Sequence, residues 1–197
     1  MSRIRGYCLA LLFPFAANAV ESNFPLYDME PNLHDQASLQ RGAATYMNYC
    51  LGCHSLGYQR YKRTAEDLGI PERLMLEYLV QDPNAKIGDL IDNSITNENS
   101  KMWFGASPPD LTLYTSLKGG PEYLYTYLMT FYRDDTRPLG VNNMVYENVG
   151  MPHVLLELQG IQEKVCKQVP RIAENGGEMM DLLSGSYLTE ELCGKDL

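Results

Sequence analysis

Apolar residues along this chain recur mostly at helical spacing. Leu39, Ala43, Tyr46 and Met47 fall on one stripe through "LQRGAATYMNY", with Cys50 next on the same stripe and Ser38 placed to cap the start. Pro71 at a first helical position opens "PERLMLEYLV", which gathers Leu74, Met75, Tyr78 and Leu79 on one face. After the break at Gly119-Gly120-Pro121, "EYLYTYLMTFY" repeats Leu124, Tyr127, Leu128 and Phe131, the clearest helix in the chain. Between these lie segments without period. Residues 20–37 read as an extended lead-in, 81–101 as a polar stretch, Pro108-Pro109 as an extended turn, and 133–150 as loop. Past Gly160 the signals thin: "IQEKVCKQV" reads as a strand, "GEMMDLLSG" as a short helix and "LTEEL" as the first turn of another. The sum is a mostly α chain with long loops, and 197 residues suit one core.

The first residues change the address rather than the fold. "MSRIRGYCLALLFPFAANAV" places Arg3 and Arg5 before a short apolar run broken by Pro14, then Ala17-Asn18-Ala19. That order predicts a secretory signal over 1–19, leaving 20–197 as one domain. A membrane anchor would want about 20 unbroken apolar residues. Losing Arg3 and Arg5 takes the formal charge from -9 to -11. So acidic a surface repels phosphates and excludes nucleic acid as a partner, while it suits a basic protein met by electrostatic steering. The same charge also serves plain solubility.

The chemistry converges on "NYCLGCHSLG", residues 48–57. Cys50 and Cys53 with His54 admit three readings. A structural zinc site wants four ligands from paired knuckles, and the remaining cysteines, Cys166 and Cys193, stand 27 positions apart. A thioredoxin-like dithiol wants its cysteines at a helix start, whereas this pair follows a helix. C-x-x-C-H is the attachment signature of c-type haem: two thiols on one turn reach two vinyl groups, and the next imidazole meets the iron. A six-coordinate carrier needs a second axial ligand, and Met151 between Gly150 and Pro152 is the leading candidate, with Met144 and His153 as rivals. Cys166 and Cys193 are a candidate disulfide for an exported chain.

Taken together, "ASLQRGAATYMNYCLGCHSLGYQRY", "EDLGIPE", "KIGDL", "WFGASPPDLTL", "YLYTYLMTFYRD" and "RPLGVNNMVYENVGMPHVLLELQG" resemble, in order from about Ala37 to Gly160, the cytochrome c1 family. These are the haem subunits of bacterial ubiquinol–cytochrome c oxidoreductases. The resemblance implies a cytochrome c-like helical domain with long insertions and one covalent haem c. It implies one-electron transfer from a Rieske iron–sulfur protein to a cytochrome c, beside a cytochrome b subunit, on the periplasmic side of the inner membrane. Carried over by position, it makes Cys50 and Cys53 the haem attachments, with His54 and Met151 as axial ligands. Pro108 and Pro109 become prolines packed near the haem, and Tyr123 a tyrosine approaching a propionate.

This sequence departs from the family in three places, one of them Cys166 with Cys193, which lie outside the matched stretch. Where the family commonly has an arginine before "GG", it has Leu117, and Lys118 is the charge it offers instead. The family continues past "LT-x-E" into a crossing helix, for which the small Gly42 would leave room, and then into a membrane anchor. Both are expected to be missing from this chain. Two alternatives stand beside the electron carrier: an exported thiol–disulfide oxidoreductase using Cys50 and Cys53, and a truncated copy that carries no electrons.

Overall fold

The computed structural model describes residues 24–173, 176–181 and 184–193, so the expected signal at 1–19 lies outside the described residues. The lead-in from Phe24 is extended and ends at Asp35, which caps helix α1, Gln36–Thr45. Asp35, and not Ser38, is the cap: its carboxylate accepts from the Ser38 amide at 3.0 Å, an aspartate three residues earlier satisfying an orphan donor of the first turn. The helix then widens into a π-turn over Tyr46–Cys50, with the Leu51 amide donating to the Tyr46 carbonyl at 3.0 Å. The wider turn corrects the predicted stripe. Leu51 takes the core position, 7% exposed, and Cys50 rotates to a half-buried one.

The chain continues as strand β1 (Leu56–Arg60) and helix α2 (Tyr61–Asp67), the latter too short for periodicity to reveal. Helix α3, Glu72–Leu74, follows Pro71, which stands just outside the helix and not at its first position. A second π-turn over Met75–Leu79 buries Met75 but turns Tyr78 outward, 71% exposed, against the face expected of it. The predicted polar stretch contains strand β2 (Leu90–Ile91), paired antiparallel with β1, and most of helix α4 (Asn97–Phe104). Thr96 caps α4 by accepting from the Asn99 amide at 3.2 Å, and Gly105 closes it. Of its three apolar residues, Met102 and Trp103 are exposed and Phe104 is only half-buried, so no buried stripe announced it.

Helix α5 (Tyr114–Leu117) leads through Gly119 to α6 (Gly120–Met129). Gly119 has φ 82° and a Cβ there would stand 3.2 Å from Tyr123 Cβ, so both backbone and neighbour demand glycine. Phe131 belongs not to α6 but to strand β3 (Phe131–Arg133), which pairs with β4 (Val141–Asn143) inside the segment expected to be loop. Helix α7, Leu156–Gln159, is a single turn.

Beyond it, β5 (Cys166–Pro170) pairs antiparallel with β6 (Thr189–Cys193). "LTEEL" is therefore strand, and "GEMMDLLSG", as far as it is described, extends the ladder through bridges Ile172–Glu178 and Met180–Tyr187 instead of forming a helix. Cys166 is disulfide-bonded, and the backbone register sets Cys193 directly opposite it, where the Cα spacing of an antiparallel pair suits a cystine.

The core has two parts. Met47, Leu51, Tyr61, Ala65, Met75 and Ile91 form one, drawn from the region between α1 and β2. Phe131, Val141 and Val149, with Tyr127 and Met151 against them, form the other. The mostly helical, cytochrome c-like architecture expected from the sequence stands, with three two-stranded sheets added at its connections. Among the described residues no helix is long and apolar enough to cross a membrane.

Candidate haem site

Cys50 and Cys53 are both free thiols, half-buried on one tight turn. That turn is closed by the Cys53 and His54 amides, which donate to the Cys50 carbonyl at 3.0 and 2.9 Å. Three further bonds hold it. The Tyr46 hydroxyl donates to the His54 carbonyl, Asn93 Nδ2 donates to the Cys53 carbonyl at 2.7 Å, and the Asn93 amide donates to Ser55 Oγ at 3.0 Å. Burial, then the neighbouring Cys50 and acidic side chains, push the Tyr46 phenol well above its ordinary range, so it stays a donor.

His54 is oriented from below. Its Nδ1 lies 2.7 Å from the Pro109 carbonyl, and since a carbonyl can only accept, Nδ1 is the donor there, which in the neutral imidazole leaves the lone pair on Nε2. The Pro108-Pro109 pair makes this possible. Two prolines hold the segment extended, which keeps the carbonyl out of a local turn. The segment is pinned just beyond that contact. The Leu111 amide donates to the Ser55 carbonyl at 2.9 Å, and Asp110 Oδ2 accepts from the Gly57 amide at 2.6 Å. A Cβ on Gly57 would stand 3.0 Å from that same Asp110 oxygen and 3.2 Å from Asp92 Oδ1, so any larger residue would crowd both carboxylates. Beside the turn opens a cleft of about 590 Å³ lined by Cys53, Asn93, Asn97, Pro108 and Asp110.

Met151 sits in the second core, and the loop that carries it is built by asparagines. Asn143 is buried and donates to the Tyr127 carbonyl at 2.6 Å while accepting from the Val145 and Tyr146 amides. Asn142 accepts from the Asn148 amide at 2.9 Å. The loop returns past α4, where a Cβ added to Gly150 would stand 3.8 Å from the Phe104 carbonyl oxygen. The rival His153 is spent elsewhere: 7% exposed, stacked on Phe131 at 5.0 Å, with Nε2 on the Gly160 carbonyl at 3.2 Å. The other rival, Met144, lines a separate cavity with Phe24, Tyr27 and Tyr132.

Tyr123 is half-buried and stacks on Tyr127, its phenol pushed up by burial and then by Tyr114 and Tyr146. Lys118 is an exposed residue closing α5. The structure thus gathers Cys50, Cys53, His54, Pro108 and Pro109 in one place and holds Met151 and Tyr123 in another, on the Tyr127 side. Asn93, Tyr46 and Asp110 were not foreseen as site residues. Asp110 adjoins the diproline in sequence, but Asn93 and Tyr46 carry no local signal because their partners are 40 and 8 residues away.

The donor set fits a c-type haem. Two free thiols share one turn, an imidazole is engaged through Nδ1 so that Nε2 is its ligating atom, and a thioether is held in an apolar cluster. No group of three or more His, Cys, Asp or Glu among the described residues is arranged to hold a bare metal ion. The dithiol reading meets the opposite electrostatics: burial, then Cys53, push the Cys50 thiol up, where an attacking thiol needs its pKa lowered.

A family model described as the Cytochrome C1 family matches residues 28–164. Cytochrome c1 of Allochromatium vinosum is 50% identical over 181 residues, which span 92% of this chain and 71% of that protein. The ammonia monooxygenase gamma subunit of Nitrosomonas europaea is 37% identical over 163 residues, 82% of this chain and 68% of that one. The mitochondrial cytochrome b-c1 complex catalytic subunit of Candida albicans is 31% identical over 123 residues, 54% and 42% respectively.

Proposed function

This chain belongs to the cytochrome c1 family, and on that premise we propose that Cys50 and Cys53 carry its one haem c as thioethers, with His54 and Met151 as the axial ligands. The coarse function goes with the family: electron transfer through haem in a respiratory complex. The finer reading is that the electron arrives from a Rieske iron–sulfur protein beside a cytochrome b subunit and leaves to a cytochrome c. These steps take place on the periplasmic face of a bacterial inner membrane. Lys118 and Tyr123 are assigned to the propionates, Pro108 and Pro109 to the wall behind His54.

The observation that carries this reading is the bond from His54 Nδ1 to the Pro109 carbonyl at 2.7 Å, next to two free thiols on one turn. It fixes the imidazole's tautomer and aim before any metal is present, as outer partners of ligating histidines do. When bound, the haem supplies a one-electron couple of its iron. The chain's own residues do the rest. The tight turn at Cys50–His54 holds thiols and imidazole in one frame, the Tyr46 and Asn93 bonds keep that frame from opening, and the second core keeps water from the thioether of Met151. The formal charge of -9 supports steering of a basic acceptor, at a rate that falls as salt rises.

Two measurements test the assignment. Haem that stays with the polypeptide on a denaturing gel is expected, and free alkylation of both Cys50 and Cys53 in the matured protein would refute thioether attachment. Met151→Ala is expected to keep the haem attached, lower its potential and open the iron to small ligands. The same behaviour in Met144→Ala, with Met151→Ala unchanged, would transfer the distal role to Met144.

A further inference from the structure

Nothing so far accounts for a polar contact on the distal side. The Tyr127 hydroxyl donates to Met151 Sδ at 3.6 Å. The ring that carries it is held from several directions. It meets Phe131 edge-on at 5.3 Å, stacks on Tyr123 at 6.3 Å, and its own backbone carbonyl takes the buried Asn143 amide at 2.6 Å. A phenylalanine would fill the same apolar space against Phe131 and Val149, so the packing does not by itself call for a hydroxyl. That oxygen ends on the one atom of the second core that can accept a weak hydrogen bond and also bind a soft metal.

Resting on the reading of Met151 as distal ligand, we propose that Tyr127 is a positioning residue that aims and tunes the Met151 thioether through this hydrogen bond. A thioether sulfur has two lone pairs. Donation to one fixes the rotation of the sulfur and leaves the other free for iron. The donated proton also draws electron density from the sulfur, which then supports Fe(III) less well than Fe(II), so the couple sits higher with the hydrogen bond than without it. Outer partners of metal ligands commonly weigh 10–100-fold in affinity. At the lower bound, loss of the hydroxyl shifts the Fe(II) to Fe(III) balance about tenfold, or ~59 mV for one electron.

The experiment uses the full, haem-loaded chain in four forms: unaltered, Tyr127→Phe, Met151→Ala and the double variant. Tyr127→Phe keeps the ring, so haem attachment and the thermal midpoint are expected to stay. The potential is expected to fall by about the tenfold equivalent, the ferric sulfur-to-iron charge-transfer band to shift, and added imidazole to bind the ferric form more tightly. In the Met151→Ala background, Tyr127→Phe is expected to move the potential no further, because the hydroxyl acts only through that sulfur. An unmoved band and potential in Tyr127→Phe overturn the proposal, as does an equal shift with Met151 absent. Survival of the charge-transfer band in Met151→Ala overturns something else, the ligand reading beneath it, and is told apart because Tyr127 is intact in that variant.

Discussion

Asn93 supplies both the anchor and the brace of the cysteine turn: its Nδ2 donates to the Cys53 carbonyl at 2.7 Å and its Oδ1 accepts from the Ile95 amide at 3.1 Å. Asn93→Ala leaves a half-buried carbonyl without its donor, at a cost of about 1–3 kcal/mol. A thermal midpoint several degrees lower and a smaller yield of haem-loaded chain are expected, and an unchanged midpoint would mean that water replaces the amide at no cost. At this scale the sequence was most legible where chemistry is carried by residue type. Cys50, Cys53 and His54, proposed here for the haem, stand out by spacing, and Met151, proposed with them, by a loop between glycine and proline. Pro109 was expected for its ring and contributes its carbonyl, which no side-chain pattern encodes. Tyr127 read as one more apolar position on a helix face, and only its contact with Met151 Sδ distinguishes it from Leu124 or Leu128.

Between elements, the segment after α4 is what sets the orientation of His54, and Asp110 is its clasp on β1. Burial pushes the Asp110 carboxyl up, but hydrogen bonds from Thr112 and from the Gly57 and Thr112 amides outweigh it, so its pKa lies below the ordinary 3.8. A carboxyl depressed in the folded state contributes stability that is present above its unfolded pKa and lost as pH falls through the folded value. Asp110→Asn is therefore expected to unfold at a lower temperature than the unaltered chain at neutral pH, with the gap closing as pH falls below about 4. A gap that does not depend on pH would show that the side chain acts by shape and not by charge.

Helix existence was legible in α6, whose apolar residues Leu124, Tyr127 and Leu128 recur at helical spacing and are half-buried, and illegible in α2, which buries Tyr61 and Ala65 but is too short to show a period, and in α4, whose Met102 and Trp103 face outward. The two π-turns moved single residues off their predicted faces, Cys50 in one and Tyr78 in the other. A wider turn changes the angle per residue, and hydrophobic periodicity assumes a constant one.

On the scale of the whole chain, the hairpin of β5 and β6 stands apart: its strands make their substantial contacts with each other, and Cys166 is cross-linked. Closing a loop of this length is worth about 3–4 kcal/mol, spent here on the hairpin and not on the two cores. Cys166→Ser is expected to speed amide exchange in the hairpin by roughly 10²–10³-fold and to leave the haem absorption unchanged. A change in the haem spectrum would show that the hairpin braces the site. By itself, the sequence determined the residue types that carry the chemistry, the acidic surface and the helical class, because each depends on composition or on short-range periodicity. The tertiary structure decided which carbonyl aims His54, which hydroxyl meets Met151, which way Cys50 faces and where the strands pair. Those contacts join residues from 8 to 55 positions apart. They are settled by how two separate cores close around the site, a long-range packing outcome that no local stretch of the chain specifies.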